Sequence, residues 1–282
     1  MSVPLRNIAI IAHVDHGKTT LIDKLLAQSG VLARGEDATE RLRDSNELER
    51  ERGITILAKN TALDWKGVRI NIVDTPGHAD FGGEVERILS MVDSVLLLVD
   101  AVEGPMPQTR FVTQKAFENR LNPILMVNKV DRDGARPDWV VNEVFELFDQ
   151  LGATEEQLDF PVVVGSAIEG RAGPTADELG NDLSFLLDLI VDHVSAPDVQ
   201  VEGSLQMQIS ALDYNSYVGL IGLGRIKRGR VHRGMPVAVV DREGDTRRAK
   251  VLQVMGFSGL QRVEQEEAFA GDIVSVSGIE GL

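Results

Sequence analysis

The chain has 282 residues, 43% hydrophobic and 26% charged, with a net charge of -15. That length leaves room for two domains with a sizeable core, and the balance excludes disordered, fibrous and membrane-spanning classes. Zero cysteines exclude disulfides and thiolate metal sites, so a metal would have to use oxygen or histidine ligands. Residues 1–6 pass into a strand-like segment without a signal peptide, and no apolar run reaches the roughly eighteen residues of a span. The expectation is a cytoplasmic protein with no membrane contact.

The first predicted element is a strand at 7–12, which runs into Ala12-His13-Val14-Asp15-His16-Gly17-Lys18-Thr19. With Ala12 in place of the first glycine, this is nearly G-x-x-x-x-G-K-[ST], a loop folded around phosphate. The N–H groups from Asp15 through His16, Gly17, Lys18 and Thr19 to Thr20 are expected to face the phosphates. Lys18 supplies a cation, the Thr19 hydroxyl a magnesium ligand, and a helix starting near Gly17 its positive end. Next comes a stretch, 34–52, in which 12 of 19 residues are charged, read as a solvated loop or surface helix. Function enters at its end, where Gly53-Ile54-Thr55 places a hydroxyl after a glycine.

A strand at 69–73 ends in Asp74-Thr75-Pro76-Gly77-His78. Ligands of open α/β sheets gather at such strand ends. Asp74 is suited to hold a magnesium-bound water and Gly77 to offer its N–H to a γ-phosphate. His78, directly after that contact, is placed to orient an attacking water. Strands at 94–99 and 123–127 follow, and the second delivers Asn128-Lys129-Val130-Asp131. Guanine presents two donors, N1–H and the N2 amino group, that Asp131 accepts together. Adenine would leave the carboxylate unpaired at about 1–3 kcal/mol. Lys129 can lay its stem on the base, and Asn128 can tie neighbouring loops together. After a strand at 161–164, Ser166-Ala167 offers an N–H to the guanine carbonyl or is a plain strand-end turn. Helices are predicted at 137–151 and 183–194. Apolar strands alternating with helices predict a parallel sheet covered on both faces.

Past Ser195-Ala196-Pro197-Asp198 the pattern becomes β-rich, with candidate strands at 205–212, 218–227, 235–240, 247–255 and 272–277 and a hairpin loop at 241–245. The expected organisation is an α/β P-loop GTP-binding domain over 1–200 and a small all-β barrel over 201–282. Only five residues follow the last candidate strand, so the barrel is expected to be truncated. Charge divides at the same place. Residues 1–199 hold 19 Lys+Arg against 34 Asp+Glu, whereas 200–282 hold 10 against 10. Within the second part, the basic run 225–233 is either a strand edge protected by charge or a contact for an RNA backbone.

On these motifs the chain resembles the translational GTPases, whose phosphate loop commonly reads His-Val-Asp-His-Gly-Lys-Thr and whose second switch carries Asp-x-Pro-Gly-His. The segments Glu49-Arg50-Glu51-Arg52-Gly53-Ile54-Thr55-Ile56, Gly104-Pro105-Met106-Pro107-Gln108-Thr109-Arg110 and Leu212-Asp213-Tyr214-Asn215-Ser216-Tyr217-Val218-Gly219 resemble the BipA (TypA) family within them. The resemblance implies a magnesium-dependent, ribosome-stimulated, monomeric GTPase with GTP and GDP as substrate and product. It also implies a link to stress and cold adaptation and to large-subunit assembly, and further C-terminal domains. It gives Thr19 and Thr55 as magnesium ligands, and Val14 with Ile54 as an apolar gate beside His78, which ribosomal RNA would swing into place. Alternatives are another translational GTPase of elongation, translocase or release type, or a GTP-switched protein-binding module.

Overall fold

The computed structural model describes residues 4–30, 60–75, 82–215, 218–241 and 243–279. The chain divides into two units, Arg6–Ser195 and Ala196–Leu282 with the chain's first five residues.

Seven strands of the first unit share one sheet. They are β1 (Leu5–Ala12), β2 (Asn60–Trp65), β3 (Val68–Asp74), β4 (Ser94–Asp100), β5 (Asn122–Asn128), β6 (Val162–Ser166) and β7 (Arg171–Gly173). Their order is β2-β3-β1-β4-β5-β6-β7. The β1–β4, β4–β5 and β5–β6 pairs are parallel, and every residue of β4 is buried. That is the two-sided burial that continuous apolar runs imply. At both margins the pairs are antiparallel, β2–β3 and β6–β7, so the sheet is mostly parallel, as expected. The β2–β3 turn consists of Lys66 and Gly67, with φ of 49° and 82°, so both residues take the positive φ of a tight hairpin.

Six helices are described in this unit: α1 (Lys18–Gln28), α2 (Gly82–Leu89), α3 (Pro107–Glu118), α4 (Pro137–Gln150), α5 (Glu155–Leu158) and α6 (Ser184–His193). Pro137 opens α4, where its missing N–H costs no helical bond. Val140, Val144 and Phe148, four residues apart, form its buried stripe. The Phe148 ring meets Phe117 and Phe160 edge-on at 5.0 and 4.9 Å, fastening α4 to α3 and to the chain entering β6. Because β1 has β3 on one side and β4 on the other, the crevice at its C-terminal end is where such sheets bind ligands.

The second unit is antiparallel throughout its strands. A five-stranded sheet runs in the order β14 (Gln261–Gln265), β13 (Gln253–Ser258), β16 (Ile273–Ser277), β9 (Gly219–Arg228) and β8 (Gln206–Asn215). Two short pairs complete it, β10 (Arg230–His232) with β15 (Glu267–Phe269) and β11 (Pro236–Val240) with β12 (Thr246–Lys250). Ile226, Val231, Val254, Val274 and Val276 form one core, covered by Met207, Ile209, Val237, Val239 and Ala249. The outer strands of the large sheet approach one another, since Arg262 on β14 pairs with Asp213 on β8 at 2.7 Å. The sheet therefore curls like a barrel, with a charged pair across the seam.

Two readings of this part change. The run expected as one strand over 247–255 breaks at Val251-Leu252, where Val251 N–H donates to Met235 O (3.0 Å) and Leu252 N–H to Ser277 O (2.9 Å). The chain switches there from the small pair to the large sheet. The basic run divides: 225–228 lie on β9, which has β16 and β8 on either side, whereas Arg230–His232 form β10, which is in a two-stranded sheet with β15 alone and keeps the character of an edge. Arg225 within the run is buried.

Candidate nucleotide site

The loop after β1 turns on two residues in the left-handed region, Asp15 (φ 66°) and Gly17 (φ 97°). Alternation of this kind points successive N–H groups into one hollow. The turn is closed by His16 N–H donating to His13 O at 3.2 Å, and Gly17 then serves as the N-cap of α1, its carbonyl accepting from Leu21 N–H at 2.9 Å. Glycine is required at 17 on two counts. Its φ is costly for other residues, and a Cβ there would stand 2.5 Å from Asn128 Nδ2. Asp15 and Thr19 are exposed, while Val14 and Thr20 are half-buried.

Lys18 is buried, and its Nζ lies 2.7 Å from Asp74 Oδ1 while also donating to Thr75 O. Thr75 Oγ1 donates in turn to Ile10 O at 2.8 Å, which holds the end of β3 against β1. The loops after two strands thus face each other through a cation and a carboxylate. Thr19 and Asp74 offer oxygen only, the donor chemistry of a hard cation such as magnesium. Among the described residues no group of three or more His, Cys, Asp or Glu could hold a metal ion. A hydroxyl and a carboxylate of this kind suit a hard cation that shares them with phosphate oxygens and water. Ile54, Thr55, Gly77 and His78 lie outside the described residues.

Asn128, 1% exposed at the end of β5, joins two loops. Its Nδ2 donates to His16 O and its Oδ1 accepts from Ala167 N–H, both at 2.8 Å. The phosphate loop, the Asn128–Asp131 loop and the Ser166-Ala167 turn are thereby one assembly. Val130 N–H adds a bond to Gly165 O at 3.3 Å. Ser166 and Ala167 are buried, with the Ser166 Oγ accepting from Glu169 N–H at 3.3 Å, whereas Asp131 is exposed.

The anchoring by Asp100 and by the His16 side chain was not anticipated. Asp100, fully buried at the end of β4, receives Lys129 Nζ at 2.6 Å and Arg132 Nη1 at 3.2 Å. Burial alone would raise the affinity of its carboxyl for a proton, yet the Lys129 hydrogen bond and the N–H groups of Val102 and Glu103 hold its pKa below the ordinary carboxylate value. His16 fills the space beneath the phosphate loop. Its Nδ1 lies 3.3 Å from Leu98 O and 3.4 Å from Asp100 N, and its Nε2 lies 3.5 Å from Glu103. Burial lowers the His16 pKa. An acid closing a parallel strand, as Asp74 also does, was the available signal for Asp100. For His16, expected to turn its N–H to phosphate, no signal in the sequence showed that the ring would be buried.

Comparison with known proteins places this geometry in a family. The profile of the elongation factor Tu GTP binding domain matches residues 3–196. The large ribosomal subunit assembly factor BipA of Escherichia coli K12 is 65% identical over 278 residues, covering 99% of this chain and 46% of that protein. Its counterpart from Haemophilus influenzae is 64% identical over 280 residues, covering 99% and 45%. The chain thus spans about half the length of these relatives. A crystal structure of a Thermus thermophilus protein superposes with a TM-score of 0.73 at 20% identity, covering 100% of this chain and 53% of that one, and so shares its fold. With the matched residues spanning the whole sheet and both loops joined by Asn128, the chain belongs to the elongation factor Tu GTP binding domain family.

Proposed function

We propose that the chain is the GTP-binding and hydrolysing part, with an adjoining β domain, of a cytoplasmic, ribosome-associated GTPase acting in large-subunit assembly. The domains run over 1–200 and 201–282. The observation that carries this reading is the Asn128 bridge, which ties a phosphate loop to a guanine-type loop at the C-terminal end of a parallel sheet. The names and 65% identity of relatives supply the ribosomal context.

In this reading the N–H groups from Asp15 to Thr20 and that of Gly77 surround the phosphates, and Lys18 exchanges Asp74 for β- and γ-phosphate oxygens. Thr19, Thr55 and, through a water, Asp74 would hold magnesium, which would supply positive charge against those oxygens. Asp131 accepts the two guanine donors, Lys129 covers the base, and the turn at Ser166 and Ala167 meets the guanine carbonyl. His78 orients the attacking water, shielded by Val14 and Ile54 until the ribosome brings it into line, so that charge and position do the catalytic work. The test is a pair of titrations and a turnover assay. GTP and GDP should bind far more tightly than ATP, and ribosomes should raise turnover of the complete protein but not of its His78→Ala variant. Tighter binding of ATP than GTP overturns the nucleotide assignment, and equal stimulation of the variant removes His78 from the mechanism.

A further inference from the structure

The strand that closes on Asp100 carries none of the recognised nucleotide motifs, yet its last residue reaches both halves of the site. Through its side chain Asp100 holds the base loop, with Oδ2 at 2.6 Å from Lys129 Nζ and 3.2 Å from Arg132 Nη1. Its other oxygen accepts from Val102 N–H at 2.7 Å and Glu103 N–H at 3.3 Å, which fixes the carboxylate plane. Through its backbone it faces the phosphate loop, where its N–H lies 3.4 Å from His16 Nδ1. The neighbouring Ala101 N–H donates to Asn128 O at 2.8 Å, so strand and base loop are also joined through main chain. Lys129 itself holds φ at 65°, a region few non-glycine residues adopt and one that persists where surroundings over-determine it.

We infer that Asp100 is a positioning residue for guanine nucleotides, acting through Lys129. By anchoring the Lys129 ammonium at the strand end, it keeps the four-carbon stem stretched across the base side of the loop. A base then packs on a side chain already immobilised, and the ordering cost of a long flexible lysine is not charged to binding. Arg132, on the same oxygen, holds the far end of the loop. The inference rests on the guanine-nucleotide reading above.

The experiment uses Asp100→Asn, which keeps shape and an acceptor for Val102 N–H while removing the charge. Affinities for GDP, inosine diphosphate and inorganic tripolyphosphate are measured by calorimetry on the wild-type chain and on the variant. Loss of a charge-assisted anchor predicts GDP binding weaker by about tenfold. Inosine diphosphate should weaken by the same factor, because the base N–H that Asp131 accepts is untouched by the substitution, and tripolyphosphate should bind as before. Lys129→Met should give a similar loss, and the double variant should be no worse than the poorer single one. Should Asp100→Asn not fold, Asp100→Ser carries the same comparison. Wild-type GDP affinity in the variant, additive losses in the double variant, or an equal fall for tripolyphosphate overturns the assignment. Failure of the wild-type chain to prefer guanine nucleotides would sink the parent reading instead, so the two failures are distinct.

Discussion

Replacing Asn128 by alanine tests whether the site is held as one assembly. The side chain is 1% exposed and makes two 2.8 Å hydrogen bonds, one to His16 O and one from Ala167 N–H. Its loss leaves the Ala167 N–H, whose acceptor it was, buried without a partner, at about 1–3 kcal/mol. The bond to His16 O contributes about 0.5–1.5 kcal/mol more, the smaller value because a carbonyl keeps a second lone pair. The expected loss is therefore about 1.5–4.5 kcal/mol in the unit that contains the sheet. It should be read from urea denaturation of nucleotide-free protein, followed by a probe confined to that unit, since two units need not unfold together. Phosphate affinity should fall as well, because His16 O belongs to the phosphate loop. A loss below about 1 kcal/mol, within the ordinary range of single hydrogen bonds, refutes the view that this amide joins the loops.

Two further predictions concern core and protonation. Phe148→Ala removes a fully buried ring that meets Phe117 and Phe160, and should cost about 3–5 kcal/mol, against about 0.5 kcal/mol for Phe145→Ala on the exposed side of the same helix; similar thermal shifts for the two would contradict the packing. Burial holds the folded pKa of His16 below the ordinary 6.5. Above pH 6.5 both folded and unfolded forms are neutral there. As pH falls through that value the unfolded chain takes up a proton that the folded chain refuses, and stability declines by up to about 1.4 kcal/mol per pH unit. Urea midpoints at pH 7.5 and 5.5 should differ less for His16→Gln than for wild type, and an equal difference would show that His16 is not the group responsible.

Sequence was most informative where chemistry demands a fixed spacing or burial demands a continuous apolar run. The strands beneath the site show this, because β4 and β5 are buried on both faces and have no polar face to blur the pattern. The loops of Lys18 and Asn128 were legible for the other reason, since phosphate and guanine constrain residue type and order together. Marginal elements were harder to read. In β2, Asn60 and Thr61 are buried among apolar residues and Asp64 is exposed, so the run lacks a strand's clean period, and only the Lys66-Gly67 turn reveals the hairpin. The break at Val251-Leu252 was hidden because two consecutive residues bond to different sheets while remaining compatible with one extended run. Asp100 escaped for a related reason, since its partners lie 29 and 32 residues further along the chain and meet it only through strand order.

The pairing of Lys18 with Asp74 gives the site an exchange character. Each charge already has a counter-ion, so a bare polyphosphate that captures Lys18 must strip the carboxylate of its ammonium partner in a nearly dry setting. A polyphosphate carrying a divalent cation asks for something different: the ammonium goes to the anion and the carboxylate to the cation's water shell, and neither is stranded. On that account, a preference for the metal-laden nucleotide over the metal-free one would be a double exchange of ion pairs rather than the property of any single ligand. Neutralising either partner, by Lys18→Met or Asp74→Asn, should blunt that preference as well as weaken binding.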